Sequence, residues 1–151
     1  MGLYEYRGEV SRVIDGDTIE LAWKDYGDGL KVHTSKRNPL RYRLAAINAY
    51  EKTLRSGTTP EEKALGIEAT AWLKERVEGK RVRLKSVAAG AKGSLGRYLV
   101  YLFDDGEDDE RLEPLSLGCY NLRLLDKGYA VVSKYDDGDI YARLGYEREG
   151  D

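Results

Sequence analysis

Asp15-Gly16-Asp17-Thr18-Ile19-Glu20-Leu21-Ala22-Trp23 is the stretch on which the fold turns. From Thr18 to Trp23 apolar and polar residues alternate, the period of a strand with one buried face. Upstream, Tyr4, Tyr6, Val10, Val13 and Ile14 mark a first strand from Tyr4 to Ile14. Asp15-Gly16-Asp17 between the two is a turn signal, so the pair reads as antiparallel. Tyr26-Gly27-Asp28-Gly29 is a second turn, followed by a strand from Leu30 to His33. Ser35 to Pro39 reads as a loop, and Arg41 to Ile47 as a further strand. Connections this short do not allow the crossovers of a parallel sheet.

The second half adds helices. Lys52 to Pro60 reads as a loop. Thr59 or Thr58 is positioned to cap a helix, with Pro60 in its first turn and Glu61 and Glu62 suited to the helix dipole. Leu65, Ala69, Trp72 and Arg76 share a face, widened by Ala64, Ile67, Ala71 and Val77, and Gly79 ends the helix. Trp72 is expected in the core. Arg81 to Val87 alternates basic and apolar, a strand with a basic outer face, and Ala88 to Gly96 is a Gly-rich connection. Arg97 to Phe103 is an apolar strand, on which Tyr98 and Tyr101 serve either as core or as a base-stacking surface. Asp104 to Glu110 is an acidic turn. Leu115 to Lys127 predicts a second helix stopped by Gly128, and Tyr129 to Ser133 a short last strand. A third helix could start at Ile140, with little apolar surface to anchor it. The sum is an α+β domain on a small, twisted, partly closed barrel. Residues 1–151 form a single domain, with a core over about 4–135 and a tail at 136–151.

Composition narrows the chemistry. Apolar residues make up 41% and charged residues 34% of 151, as in a water-soluble globular chain. No apolar run reaches the ~20 residues of a membrane span. No signal peptide follows Met1, so the cytoplasm is the default expectation, a secreted form with its leader removed being the alternative. Cys119 is the sole cysteine and His33 the sole histidine, which removes disulfides, thiolate metal sites, histidine-ligated zinc and a Ser-His-Asp triad. Catalysis here must use carboxylates, Arg, Lys and Tyr. Net charge is −2, yet residues 1–103 carry 19 Lys/Arg against 13 Asp/Glu, while residues 104–151 carry 6 against 14. That asymmetry predicts either one basic face and one acidic edge or plain solvated surface.

The carboxylate turn Asp15-Gly16-Asp17-Thr18, the segment Arg43 to Glu51 and Gly96-Arg97 supply, in order, carboxylates, an arginine, a glutamate and a second arginine. Metal-assisted in-line attack on a phosphodiester needs those groups. Val13-Ile14-Asp15-Gly16-Asp17-Thr18, then Arg43-Leu44-Ala45-Ala46-Ile47-Asn48-Ala49-Tyr50-Glu51, then Gly96-Arg97 before an apolar strand, then Asn121-Leu122 through Gly128-Tyr129-Ala130, resemble the motifs of the staphylococcal nuclease (thermonuclease) family. The resemblance covers residues 4–135 and implies a five-stranded OB-fold barrel with two or three packed helices. It implies Ca²⁺ as metal, with Asp17, Asn48 and the Ala49 carbonyl as ligands. Asn48 stands where the family has a second carboxylate, and Tyr50 where it has proline. Glu51 is matched to the base that activates water, Arg43 and Arg97 to the phosphate-gripping arginines, and Tyr135 to a substrate-flanking tyrosine. Ser94-Leu95 stands where a basic residue and an aromatic often precede Gly-Arg. The implied partner of this monomer is DNA or RNA, single strands preferred, with no membrane.

Two readings follow. The first is a Ca²⁺-dependent nuclease. The second, motivated by Asn48, Tyr50 and Ser94-Leu95, is an OB-fold module of weakened or absent catalysis that binds single-stranded nucleic acid or a protein partner.

Overall fold

Among the described residues, eight strands and two α-helices follow one another as β1 (Glu5–Asp15), β2 (Thr18–Asp25), β3 (Lys31–His33), β4 (Leu40–Leu44), β5 (Ile47–Ala49), α1 (Pro60–Val77), β6 (Arg81–Ser86), β7 (Tyr98–Asp104), α2 (Tyr120–Asp126) and β8 (Ala130–Val132). The computed structural model describes residues 5–27, 29–50, 58–87, 98–106, 111–133 and 140–148.

Five strands close a barrel in the cyclic order β1-β2-β4-β7-β6, with β3 added beside β2 and β5 paired to β8 as a small separate sheet. All barrel pairs are antiparallel except β4 with β7. With its two helices this is a small α+β domain consistent with an OB-fold. β1 makes the closure possible. Its first half, Glu5 to Glu9, pairs with β6, and Arg7 to Asp15 pairs with β2 through register shifts near Val10 and Val13. Such bulges bend a strand and raise its twist, which lets one strand serve two neighbours.

Alternation fills the interior. Val10, Ile19, Leu21, Leu44, Leu84, Val100 and Leu102 are fully buried. α1 begins as the sequence predicts. Thr59 accepts the Glu62 amide while the Glu62 carboxylate reaches back to the Thr59 amide, a reciprocal cap contributing about 1 kcal/mol. Its buried face is Gly66, Ala69, Trp72, Leu73 and Val77. Ala64, Ile67 and Ala71 lie outside it and are exposed, because the helix turns the Ala69, Leu73 and Val77 stripe with Gly66 and Trp72 to the barrel.

Several expected boundaries move. The strand read over Arg41 to Ile47 is two strands, broken where Ala46 takes a left-handed φ of 68°. The second helix starts at Tyr120 rather than Leu115. Leu115 and Leu117 sit in turns, 54% and 74% exposed. The basic face of β6 is incomplete, since Arg83 is buried and its Nε donates to the Asp104 carbonyl. Tyr101 is core and Tyr98 is not. The tail is anchored after all. Ile140 opens a turn and a short 3-10 helix (Ala142–Leu144), and Tyr141 is fully buried edge-on to Tyr101, its hydroxyl donating to the Pro114 carbonyl at 2.7 Å.

The β4–β7 seam is short, with three residue pairs. Buried Asn121 of α2 reinforces it. Its Nδ2 donates to the carbonyls of Ala45 (2.9 Å) and Val100 (3.1 Å), and its Oδ1 accepts the Leu102 amide (3.0 Å). Asn121→Leu strands a buried amide and a carbonyl, at about 1–3 kcal/mol each. Urea unfolding should therefore show a loss of about 3 kcal/mol or more, and a loss below about 1 kcal/mol would refute this role.

Candidate functional site

The end of β4 and the start of β2 are held side by side. Thr18 pairs with Arg43, and the Leu44 amide donates to the Asp17 carbonyl at 2.8 Å. The turn at Ala45-Ala46 then swings β5 back across the same end, so Asn48 and Ala49 face Asp17. Gly16 permits the approach. A Cβ at Gly16 would lie 2.9 Å from the Ala49 Cβ and 3.0 Å from the Ala69 Cβ, closer than carbon atoms pack. The glycine of this hairpin thus serves close approach of β5 and α1 to the turn.

Four of the seven expected site residues meet here. The Arg43 Nη2 donates to the Asn48 Oδ1 at 2.6 Å and lies 3.4 Å from the Asp17 Oδ2. That same Oδ2 accepts the Ala49 amide at 2.9 Å, and the Oδ1 accepts the Thr18 hydroxyl at 3.2 Å. The resemblance assigned Ala49 through its carbonyl; in the structure its N–H holds the carboxylate. Glu51, Arg97 and Tyr135 lie outside the described residues, as do Ser94 and Leu95.

Asp15 joins the cluster. Its carboxylate accepts the Asp17 amide at 3.1 Å, and its carboxyl is hydrogen-bonded to that of Asp17. In the sequence Asp15 stands only as part of a turn, and the signal for its role is a carboxylate two residues from Asp17. Asp17 is 6% exposed. Burial chiefly, then the Asp15 hydrogen bond and charge, push its carboxyl up to about 7, against the opposing pull of Arg43 and the Ala49 amide. The guanidinium at 3.4 Å therefore does not fully compensate the buried charge.

Such a carboxylate seeks a further cation. The donors beside it are oxygen atoms alone, from Asp15, Asp17 and Asn48, which fits a hard dication such as Ca²⁺ in kind. Among the described residues no three Asp, Glu, His or Cys side chains converge, so the donor set carries less charge than a full carboxylate cage. No family model and no curated protein sequence matches the chain.

The proton on Asp17 has a measurable consequence. Between pH ~4 and ~7 the folded protein holds a proton that the unfolded chain has released, so this group's contribution to stability falls as pH rises through that window. Urea unfolding of the natural protein and of Asp17→Asn at pH 5 and pH 8 should show the natural protein losing ground to the variant at pH 8. Parallel profiles would mean that Asp17 carries no such proton. Gly16→Ala should cost about 1–3 kcal/mol through the two methyl contacts, and an unchanged unfolding midpoint would remove the close-approach argument.

Proposed function

We propose that the chain is a phosphodiesterase acting on DNA or RNA, single strands preferred, related in mechanism to the staphylococcal nuclease family. What supports this most is the meeting of Asp17, Arg43 and Asn48, from three separate segments, within 3.4 Å at one end of the barrel. Those are residues that the motif order singles out for phosphate chemistry.

Arg43 is the phosphate-gripping group. A guanidinium keeps its charge and presents a planar fork of donors matched to phosphoryl oxygens. Its contacts to Asn48 and Asp17 are both made through Nη2, which fixes the orientation of that fork before any substrate arrives. Asp17, Asn48 and the Ala49 carbonyl are the groups that would hold Ca²⁺. Bound there, the cation would supply the charge that lowers the pKa of water and neutralises phosphate oxygens. By the resemblance, Glu51 takes the proton of the attacking water and Arg97 adds the second guanidinium, stabilising charge that develops on phosphorus oxygens.

A second reading has its own observation. The Asn48 amide oxygen is already satisfied by Arg43, and both Asp17 oxygens accept internal hydrogen bonds. A site so self-satisfied suits an OB-fold module that binds single-stranded nucleic acid or a protein partner with weak catalysis or none.

Labelled single-stranded DNA incubated with millimolar Ca²⁺ separates the readings, with a chelator arm and a Glu51→Ala arm. The nuclease reading expects cleavage that needs both Ca²⁺ and Glu51, and a loss of two or more orders of magnitude in turnover in Arg43→Ala with the fold retained. Asn48→Asp restores a carboxylate and should raise Ca²⁺-dependent cleavage severalfold. No cleavage by the folded natural protein or by Asn48→Asp would leave the binding module as the function.

A further inference from the structure

A pocket of about 360 Å³ opens at the opposite end of β2 from Asp17. Lys24 stands in it six residues beyond Thr18, about 20 Å along the strand, so it is separate from the cluster described above. Its size lies within the range of small-molecule sites. Its walls are a row of tyrosine rings. Tyr26 lies 5.2 Å from Tyr6, Tyr6 6.1 Å from Tyr42, and Tyr42 6.2 Å from Tyr98, centroid to centroid. The outer two, Tyr26 and Tyr98, are 54% and 40% exposed, so aromatic surface is on offer at the rim.

The charge inside decides the ligand. The Lys24 ammonium sits 5.4–5.6 Å from the centroids of Tyr6, Tyr26 and Tyr42. Aromatic cages bind external ammonium groups, but this one already holds its own cation, which repels a second. Among the described residues no carboxylate lines the pocket, and Lys24 has no ion pair. Arg41, also in the wall, is already paired to Glu20 at 2.8 Å. Burial pushes the Tyr6 phenol up to about 12 and raises that of Tyr42 further, so both hydroxyls stay neutral donors. Aromatic walls, an ammonium without an ion pair among the described residues and donor groups together call for a flat ring that carries an anion.

We propose that this pocket binds a nucleotide, its base stacked on the rim tyrosines and its phosphate held by Lys24. The ligand chemistry has two sources, a free nucleotide or one unit of a single strand. A strand could run from Arg43 past Arg41, two residues apart on one face of β4 and thus about 7 Å, to the pocket. Only that strand version rests on the phosphodiesterase reading.

Amide chemical shifts of the labelled natural protein, titrated with adenosine monophosphate, adenosine and a short oligodeoxyadenylate, test it. The monophosphate should move the signals of Tyr26, Asn38, Leu40 and Tyr98 and leave those of Asp17 and Asn48 in place. Adenosine should bind at least tenfold more weakly. Lys24→Met, which keeps the aliphatic stem over the rings, should weaken the monophosphate at least tenfold. Tyr26→Ala, at an exposed position, should weaken it about fivefold or more through the lost stack. Unmoved pocket signals at millimolar monophosphate, or equal affinity in Lys24→Met, overturn the proposal. An oligonucleotide that binds tighter than the monophosphate, and loses that gain in Arg43→Ala, assigns the site to a strand. One no tighter assigns it to free nucleotide, and either result keeps the pocket. A folded protein without nuclease activity that still binds the monophosphate keeps this inference and loses the phosphodiesterase reading. A Ca²⁺-dependent nuclease whose pocket signals the monophosphate leaves unmoved does the reverse.

Discussion

The parallel seam between β4 and β7 is the constraint on which the rest depends. Every other barrel contact is antiparallel and longer, and with the β1–β6 pairing this seam joins the first half of the chain to the second and closes the barrel. A short parallel pair is weak by itself. The buried amide of Asn121 adds side-chain bonds to the Ala45 and Val100 carbonyls and the Leu102 amide, all on residues buried away from solvent. Because one of those carbonyls belongs to Ala45, the same side chain fixes the corner at which the chain leaves β4 and turns into β5. The separation of Arg43 from Asn48 is therefore set from across the barrel by α2.

That corner concentrates opposing charges in little volume. Asp15 and Asp17 bring two carboxyls together, Arg43 brings one guanidinium, and Asn48 contributes an oxygen without a charge. Burial costs a lone carboxylate more than one partly shared guanidinium returns, and a proton makes up the difference. A cluster in this state responds to any incoming cation or anion, since either changes which group the guanidinium serves. The tyrosine pocket follows the opposite logic: two cations, Lys24 and Arg41, among tyrosine rings, with no acid among its described lining residues.

Much of this was legible in residue order. Alternation marked the barrel strands, Thr59 and Pro60 marked the start of α1, and Asp17, Arg43, Asn48 and Ala49 could be picked out before their contacts were known. What escaped had tertiary causes. Nothing local in Arg41 to Ile47 announces the corner at Ala46, because alanine has no preference for a left-handed φ and takes it only where the surroundings demand it. Gly16 read as a turn residue, while its reason is the nearness of Ala49 and Ala69, far along the chain. The tyrosine row draws one ring from each of β1, β4 and β7 and one from the loop after β2, so no window of sequence contains it. The tail looked unanchored because a single tyrosine, Tyr141, supplies the anchor that periodicity seeks in a stripe.

Tyr141 has one more effect. Its hydroxyl lies 3.5 Å from the Cys119 sulfur, and burial raises the thiol above its ordinary value against the lowering pull of that hydroxyl. The sole sulfhydryl of the chain is thereby kept out of thiolate form and out of contact with solvent. Its reactivity becomes a clock for the parting of the 140s segment from the start of α2. An alkylating reagent would record each opening of that end, with no label engineered in.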